Sequence, residues 1–497
     1  MTSTPAQPRV YSHVDRIRSA GILGLSFVGT IVLFGGLIAS IITLMVSNLW
    51  AALAVFAPVT AALWVTSRKD QHGRSLSQKA LTRMGFASAR RAGRTRYRSG
   101  TVGAIASGRN ELPGLAAAST MSEFRDSWER PFGLIHHPHP GHVVLGFAVS
   151  PEGGALVDNH QIDSWVRGLD EALRSFTVEP DVMACQIIVE AAPGTGAKLH
   201  RLVQTSVDPN AHAVPRQALD ELLQLLSSGA VVLQAYVTIT FTTRTAEGGK
   251  RSVLQMGQDL SARVPFFAEI LGITGAGQVR PLSAQEWCEV IRVGYDPAAQ
   301  TAIEAAHHDG QTPDLSWSDV GPVAADAEWS HYRHDSAVSV TWQMTGMPQG
   351  MWTATVLAPL LAPHARIARK RVTLLYRPID VAVQNTVAVA DRKTGGFLSS
   401  GGAQDAVALE NAKRREEAVA QGAGLVNFGM LITATLTDES QIPDAVVAIE
   451  GMTGAARVQT RIATGMQDTA FAAALPLGIV LPLHRAIGKA TAQRRGR

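Results

Sequence analysis

Four histidines fall within seven residues at His136-His-Pro-His-Pro-Gly-His142, and another pair stands three apart at His331 and His334. Imidazoles at such spacings suggest metal ligation, because neutral imidazole is a common ligand for transition metals. The first cluster brings no carboxylate with it. Its prolines hold the segment extended, which predicts an exposed loop ahead of a strand. The second pair supplies two ligands, and two do not make a site. His307-His308 stands before Asp309-Gly310, where imidazoles suit the C-terminal end of a helix dipole. Pro193-Gly-Thr-Gly-Ala-Lys198 is rich in glycine, but it lacks both the P-loop spacing and the hydroxyl that would hold magnesium. No Gly-Lys-Ser, Gly-Lys-Thr, His-Glu-x-x-His or Gly-x-Ser-x-Gly occurs in the chain. The expectation is a protein with no catalytic residues, no metal site and no cofactor.

The elements that would position these residues alternate in short units. His142–Ser150, Val182–Glu190, Val231–Phe241, Ala337–Met344, Arg371–Arg377, Val426–Thr437 and Arg457–Thr464 read as strands, rich in β-branched and aromatic residues. Helices are predicted at 161–176 behind an Asp158 or Asn159 cap, and at 215–226, 253–271, 351–361, 403–420 and 444–451. A further helix runs from a capping box at Ser283-Ala-Gln-Glu286 to Val293. The pattern predicts an α/β (α+β) class, with ferredoxin-like units as one arrangement of the alternation. Strand order is not legible at this level.

Between Arg18 and Arg68 run 49 residues with no Asp, Glu, Lys, Arg or His. A spanning helix needs about 20 apolar residues. Two fit here, joined at Ser47-Asn48, with Trp50 and Trp64 where aromatic rings favour the headgroup level. Gly36 and Ser40 form a small-xxx-small pair suited to close helix packing. Arg9, Arg16 and Arg18 flank one end and Arg68, Lys69 and a further basic run the other. Both ends therefore belong on the cytoplasmic side of the cell membrane. The expected organisation is a cytoplasmic N-terminus (1–18), a transmembrane hairpin (19–67), a basic juxtamembrane segment and linker (68–120), a cytoplasmic α/β domain (121–484) and a basic tail (485–497).

The chain is +4 overall, but residues 68–98 hold +9 and residues 1–18 hold +2, which leaves −7 from Ser99 onward. The basicity is thus local, and suited to anionic lipid headgroups. With no aromatic residues interleaved among these charges, direct nucleic-acid binding is not expected. Cys185 and Cys288 are far apart and read as small core residues of a reducing compartment. Trp317, Trp329, Trp342 and Trp352 cluster in the middle of the soluble region. Indoles mostly fill cores, yet they also dominate binding hot spots, so these four are the candidate interface residues.

The hairpin with its basic trailer resembles the small PrgI-like membrane subunits of Gram-positive conjugation systems. Tyr295-Asp-Pro297, Leu315-Ser-Trp-Ser-Asp-Val-Gly-Pro322, Asp335-Ser-Ala-Val-Ser-Val-Thr-Trp342, Lys370-Arg-Val-Thr-Leu-Leu-Tyr-Arg-Pro378 and Phe471-Ala-Ala-Ala-Leu-Pro-Leu-Gly478 resemble a family of actinobacterial conjugation-associated membrane proteins. The order of elements after residue 120 is similar to the N-terminal, non-ATPase region of TrbE/TraC-type conjugation ATPases. There a Leu-Pro-Gly-like stretch precedes the nucleotide-binding domain. Here Leu475-Pro476-Leu477-Gly478 is followed by about twenty residues without Walker motifs, so no catalytic residue carries over. The resemblance implies a membrane scaffold of a type IV-like DNA-transfer apparatus. Its partners would be a separate conjugation-type ATPase and other membrane subunits, with a homo-oligomer left open. An EccE-like component of type VII secretion shares the same plan. From another class, a membrane-tethered metal-dependent hydrolase would have to use the histidines.

Overall fold

The computed structural model describes residues 11–12, 27–60 except 49, 52, 53 and 55, 70, 74–103, 108–153, 157–194, 203, 206–208, 212–227, 231–346 except 246, 351–379 and 426–484. The chain opens with β1 (Tyr11–Ser12), α1 (Phe27–Val46), a second helical stretch within 50–60, α2 (Leu76–Arg91) and β2 (Arg96–Arg98). A first half follows: β3 (Thr120–Arg125), β4 (Pro131–His137), β5 (His142–Ser150), α3 (Asn159–Val178), β6 (Val182–Pro193), α4 (Ala213–Ser227), β7 (Val231–Thr242), α5 (Val253–Leu271), β8 (Gln278–Pro281), α6 (Ala284–Tyr295) and α7 (Ala299–His308). The second half holds β9 (Ala324–Ala327), β10 (Tyr332–His334), β11 (Ala337–Gly346), β12 (Met351–Trp352), α8 (Ala358–Leu361), β13 (Arg369–Pro378), β14 (Val426–Leu436), α9 (Ile442–Ala455), β15 (Gln459–Ile462) and α10 (Gln467–Ala474).

One antiparallel sheet runs through both halves in the order β2-β9-β10-β11-β14-β13-β6-β7-β5-β4-β3. On its flanks β15 lies beside β11 and β8 beside β5. Within each half four strands take the spatial order fourth, first, third, second, β8-β5-β7-β6 and β15-β11-β14-β13, with α5 and α9 each joining the third strand to the fourth and α4 lying between β6 and β7. The two halves repeat one another in register. A shift of 195 positions carries the pair Val143–Phe241 onto Val338–Leu436. A shift of 197 carries β4 onto β10, so that His137 corresponds to His334. The halves join through β6 and β13, where Glu190 stands opposite Arg371.

Each half buries one face of its sheet under its own helices. Val143, Leu145 and Phe147 pack with Met256, Leu260, Val264 and Phe267 of α5, while Val340, Trp342 and Ile432 pack with Ala445, Ile449 and Met452 of α9. The opposite face is shared. Val144 and Ile135 point to it by strand alternation and meet Trp287, Ile291 and Tyr295 of α6 together with Phe471, Leu475 and Leu477. The Trp287 ring lies so close to Gly146 that a Cβ there would meet it at 2.2 Å. The halves are also strapped to each other reciprocally. His137 bonds the carbonyl of Leu477 at 2.8 Å, and its counterpart His334 bonds the carbonyl of Tyr295 at 2.5 Å. Each strap starts at or just after the C-terminal end of a helix, α6 or α10, and ends on the hairpin of the other half.

Several expectations change. The histidine segment 136–142 is not an exposed loop: His137 and His142 are 2% and 3% exposed, in β4 and β5, because the shared core needs both strands. Residues 351–361 are not one helix. Met351–Trp352 pairs with β1, and only Ala358–Leu361 is helical, behind the β-branched Thr353 and Thr355. Core residues Leu112 and Ala116 lie upstream of residue 121, inside what read as linker. The helix expected at 403–420 lies outside the described residues. The mixed class and both buried cysteines are as expected.

The N-terminal segment is set apart by its surface. α1 is 20 residues long and carries no charge, and its apolar side chains from Phe34 to Val46 are 44–83% exposed. Side chains of α1 are described from Leu33 onward, and over the described residues no helix is long and apolar enough to cross a membrane.

Candidate functional site around the basic helix

A capping box starts α2: the Ser75 hydroxyl accepts from the Gln78 amide at 3.3 Å, and Gln78 Oε1 accepts from the Ser75 amide. Its inward stripe is Ser75, Lys79, Thr82, Phe86 and Ala89, spaced by three and four residues. Phe86 meets Trp329 edge-on at 5.3 Å, and Trp329 in turn closes over Gly465. Arg74 donates to the Thr82 hydroxyl at 2.9 Å, Lys79 pairs with Asp70 at 2.6 Å, and Arg90 approaches Glu328 at 3.6 Å. β2 then joins the sheet on β9, where Arg98 forks onto both oxygens of Asp326 at 3.0 and 2.9 Å. A basic helix and a basic strand are thus fastened to the outer end of the second half. Arg83, Arg91, Arg94 and Arg96 form no ion pair among the described residues.

Beneath β2 lies a cavity of about 90 Å³, with Arg94, Arg96, Tyr97, Tyr295, Tyr332 and Asp468 in its wall. Burial, reinforced by Glu111, pushes the Tyr97 phenol up to about 12, and its hydroxyl donates to the Glu111 carbonyl at 2.5 Å. Burial raises Tyr295 and Tyr332 as well. All three phenols therefore stay protonated at neutral pH, and Asp468 is the one carboxylate in the lining. The space is large enough only for a few water-sized molecules, far below the several hundred Å³ of a ligand pocket.

The histidines are spent on structure. His334 is fully buried between the Tyr295 carbonyl and the Ser339 hydroxyl, while His331 contacts Glu439 at 2.9 Å. Desolvation lowers His137, His142 and His334 to about 4, which keeps them neutral. No group of three or more potential ligands could hold a metal ion among the described residues.

Of the four candidate interface tryptophans, Trp342 is 1% exposed in the core of the second half and is not available for docking. Trp317 packs on the shared core and donates to the Ser119 hydroxyl at 3.1 Å. Trp329 holds α2, and Trp352 contributes its backbone to the pairing with β1. Trp50 is 80% exposed, whereas Trp64, Arg68 and Lys69 lie outside the described residues. Gly36 is buried against Val59, where a Cβ would come within 2.3 Å, and the Ser40 hydroxyl donates to the Gly36 carbonyl at 2.8 Å. The anchoring stripe on α2 escaped sequence reading, although its spacing was present.

Fold and site define a duplicated α/β domain with an uncharged helical segment ahead of it and a basic helix between the two. Residues 18–78 match a family described as a domain of unknown function, DUF8461, a span that covers the uncharged run and ends in the first turn of α2. No curated protein matches the chain.

Proposed function

We propose that this protein is a membrane-anchored platform of a conjugative, type IV-like transport apparatus. Residues 19–67 cross the cell membrane as a two-helix hairpin with both termini in the cytoplasm. The duplicated domain, read as two ferredoxin-like units, offers a docking surface to a separate ATPase. The observation that carries the anchor is the exposed apolar surface of α1. A helix that is apolar all round belongs in a core or a bilayer, and these side chains are in no protein core. The contact of Gly36 with Val59 supports a hairpin, and hydroxyls of Ser40, Thr43 and Thr60 turned back onto their own helix suit a medium without water. The assignment to conjugation is supported by the sequence resemblance of segments 295–297, 315–322, 335–342, 370–378 and 471–478. A hydrolase using His331 and His334 finds no support, since both ring nitrogens of His334 are engaged.

The test is crosslinking in the native membrane, followed by purification on a C-terminal tag and identification of what is captured. A conjugation-type ATPase supports the platform. An FtsK-like translocase would move the protein to type VII secretion as an EccE-like component. Recovery of the chain in the soluble fraction would sink the anchor.

A further inference from the structure

The outward face of α2 carries a surface that the domain does not explain. While Phe86 and its stripe turn inward, Leu76, Leu81 and Met84 stand 46%, 67% and 69% exposed on the other side of the same helix. Single exposed apolar residues need no explanation. Three on one helical face, accompanied by Arg83 and Arg91 and by no acidic residue anywhere in the helix, form a pattern. An apolar face bordered by Lys and Arg is the signature of a helix lying in the interfacial plane of a membrane.

We propose that this face of α2 is seated in the headgroup–acyl boundary of an anionic leaflet, with Arg83 and Arg91 on lipid phosphates. The proposal rests on the hairpin reading and adds to it a second, peripheral membrane contact. Three observations select lipid over other occupants. The uncharged run ends at Ser67, and nine residues at no more than about 3.6 Å each keep Leu76 within roughly 32 Å of the point where the chain leaves the bilayer. Segment 68–98 is +9, and its one acid, Asp70, is held by Lys79, so the face presented is complementary to anionic phosphates. Finally, a short helix with three apolar side chains offers far less than the roughly 800 Å² per partner of a standard protein interface.

Since Phe86 and Trp329 fix α2 to the second half, seating α2 would also hold that end of the sheet at the membrane and leave β3 at the far end. The experiment uses the full chain in phosphatidylcholine vesicles with and without phosphatidylglycerol. Met84→Cys, Leu81→Cys and, within α1, Leu37→Cys each receive an environment-sensitive fluorophore; Cys185 and Cys288 are buried and stay unlabelled. Positions 81 and 84 should be quenched by spin-labelled lipid, and phosphatidylglycerol should reduce their quenching by aqueous iodide about threefold. Iodide quenching without lipid quenching at 81 and 84, with Leu37→Cys quenched by lipid, would overturn the α2 proposal alone. Protection from both quenchers would place a protein, another copy or a partner, on this face and also overturn it. Absence of lipid quenching at Leu37→Cys would overturn the hairpin together with the proposal.

Discussion

Removing the Glu190 carboxylate should unfasten the two halves. Glu190, Arg369 and Arg371 are 5%, 4% and 3% exposed at the β6–β13 seam. Arg371 contacts one carboxylate oxygen at 2.5 Å and Arg369 the other, while Arg369 also reaches Gln300. Even so, Arg369 Nε and Arg371 Nη1 lack a partner among the described residues, so the cluster is already short of acceptors. Glu190→Ala would leave two buried guanidinium groups with no counter-charge. Breaking a buried ion pair from one side costs about 3–5 kcal/mol, and nothing here suggests the low end. Glu190→Gln keeps one acceptor but loses the charge, and should cost about 2–3 kcal/mol. The assay is pulse proteolysis of the full chain in detergent across a urea series. Burial alone would raise the Glu190 carboxyl, but Arg371 and Arg369 outweigh it and hold it below the usual value of 4.5. A lowered carboxyl stabilises the fold fully above its unfolded value, and this contribution fades as the pH drops through the native one. The gap between wild type and Glu190→Ala should therefore be widest at neutral pH and narrow toward pH 4 and below. Replacing all three by apolar residues of similar volume should recover much of the loss. A shift under about 1 kcal/mol for Glu190→Ala at pH 7 would refute the account of the seam.

Two further outcomes follow from the same geometry. His137, His142 and His334 are lowered to about 4 by burial, so the unfolded chain binds more protons than the native one between about pH 4 and 6.5. Stability should be complete above that window and fall by about 2 kcal/mol per histidine at pH 5; a urea midpoint that is flat from pH 7 to 5 would contradict this. Trp329→Ala removes the ring that Phe86 leans on, and hydrogen exchange over residues 76–91 should accelerate about tenfold or more while the β5–β7 amides keep their protection. Unchanged exchange in α2 would mean that its ion pairs hold it without Trp329.

What could be read from the sequence was local. The Ser283–Glu286 capping box announced α6, and its geometry is present in full. β-Branched and aromatic content marked β5, β11 and β13, and consecutive buried residues in each place both of its faces against the interior. β4 escaped because its apolar run, Phe132 to Ile135, is short and leads into prolines, and its burial is imposed from a distance by Trp287. The helix expected at 351–361 was read from apolar composition; Met351–Trp352 pairs with β1 instead, and only Ala358–Leu361, with Leu360 in the core of the second half, is helical. Glu190 and Arg371 are 181 positions apart, and no local pattern connects them. The repeat was equally hidden, since what the halves share is pairing register and a histidine at the same place, His137 and His334, in unlike surroundings of sequence.

The duplication makes the sheet nearly symmetric about the β6–β13 seam, and the reciprocal straps from Tyr295 and Leu477 preserve that symmetry. The N-terminal segment breaks it. β9, the outer strand of the second half, takes β2 as a further neighbour, whereas its counterpart β3 ends the sheet. One end is thereby committed to the basic helix and, on the proposed reading, to the bilayer. The other end keeps a strand edge of mixed polarity that pairs with no further strand among the described residues, with Glu123 spent on capping α6. On the same proposed reading, two equivalent units of which one is committed to the anchor leave the second, with its edge strand β3, as the end to search first for the proposed partner's contact. If the proposed platform reading holds, charge substitutions along β3 should separate the proposed partner docking from the proposed membrane attachment without touching either the seam or α2.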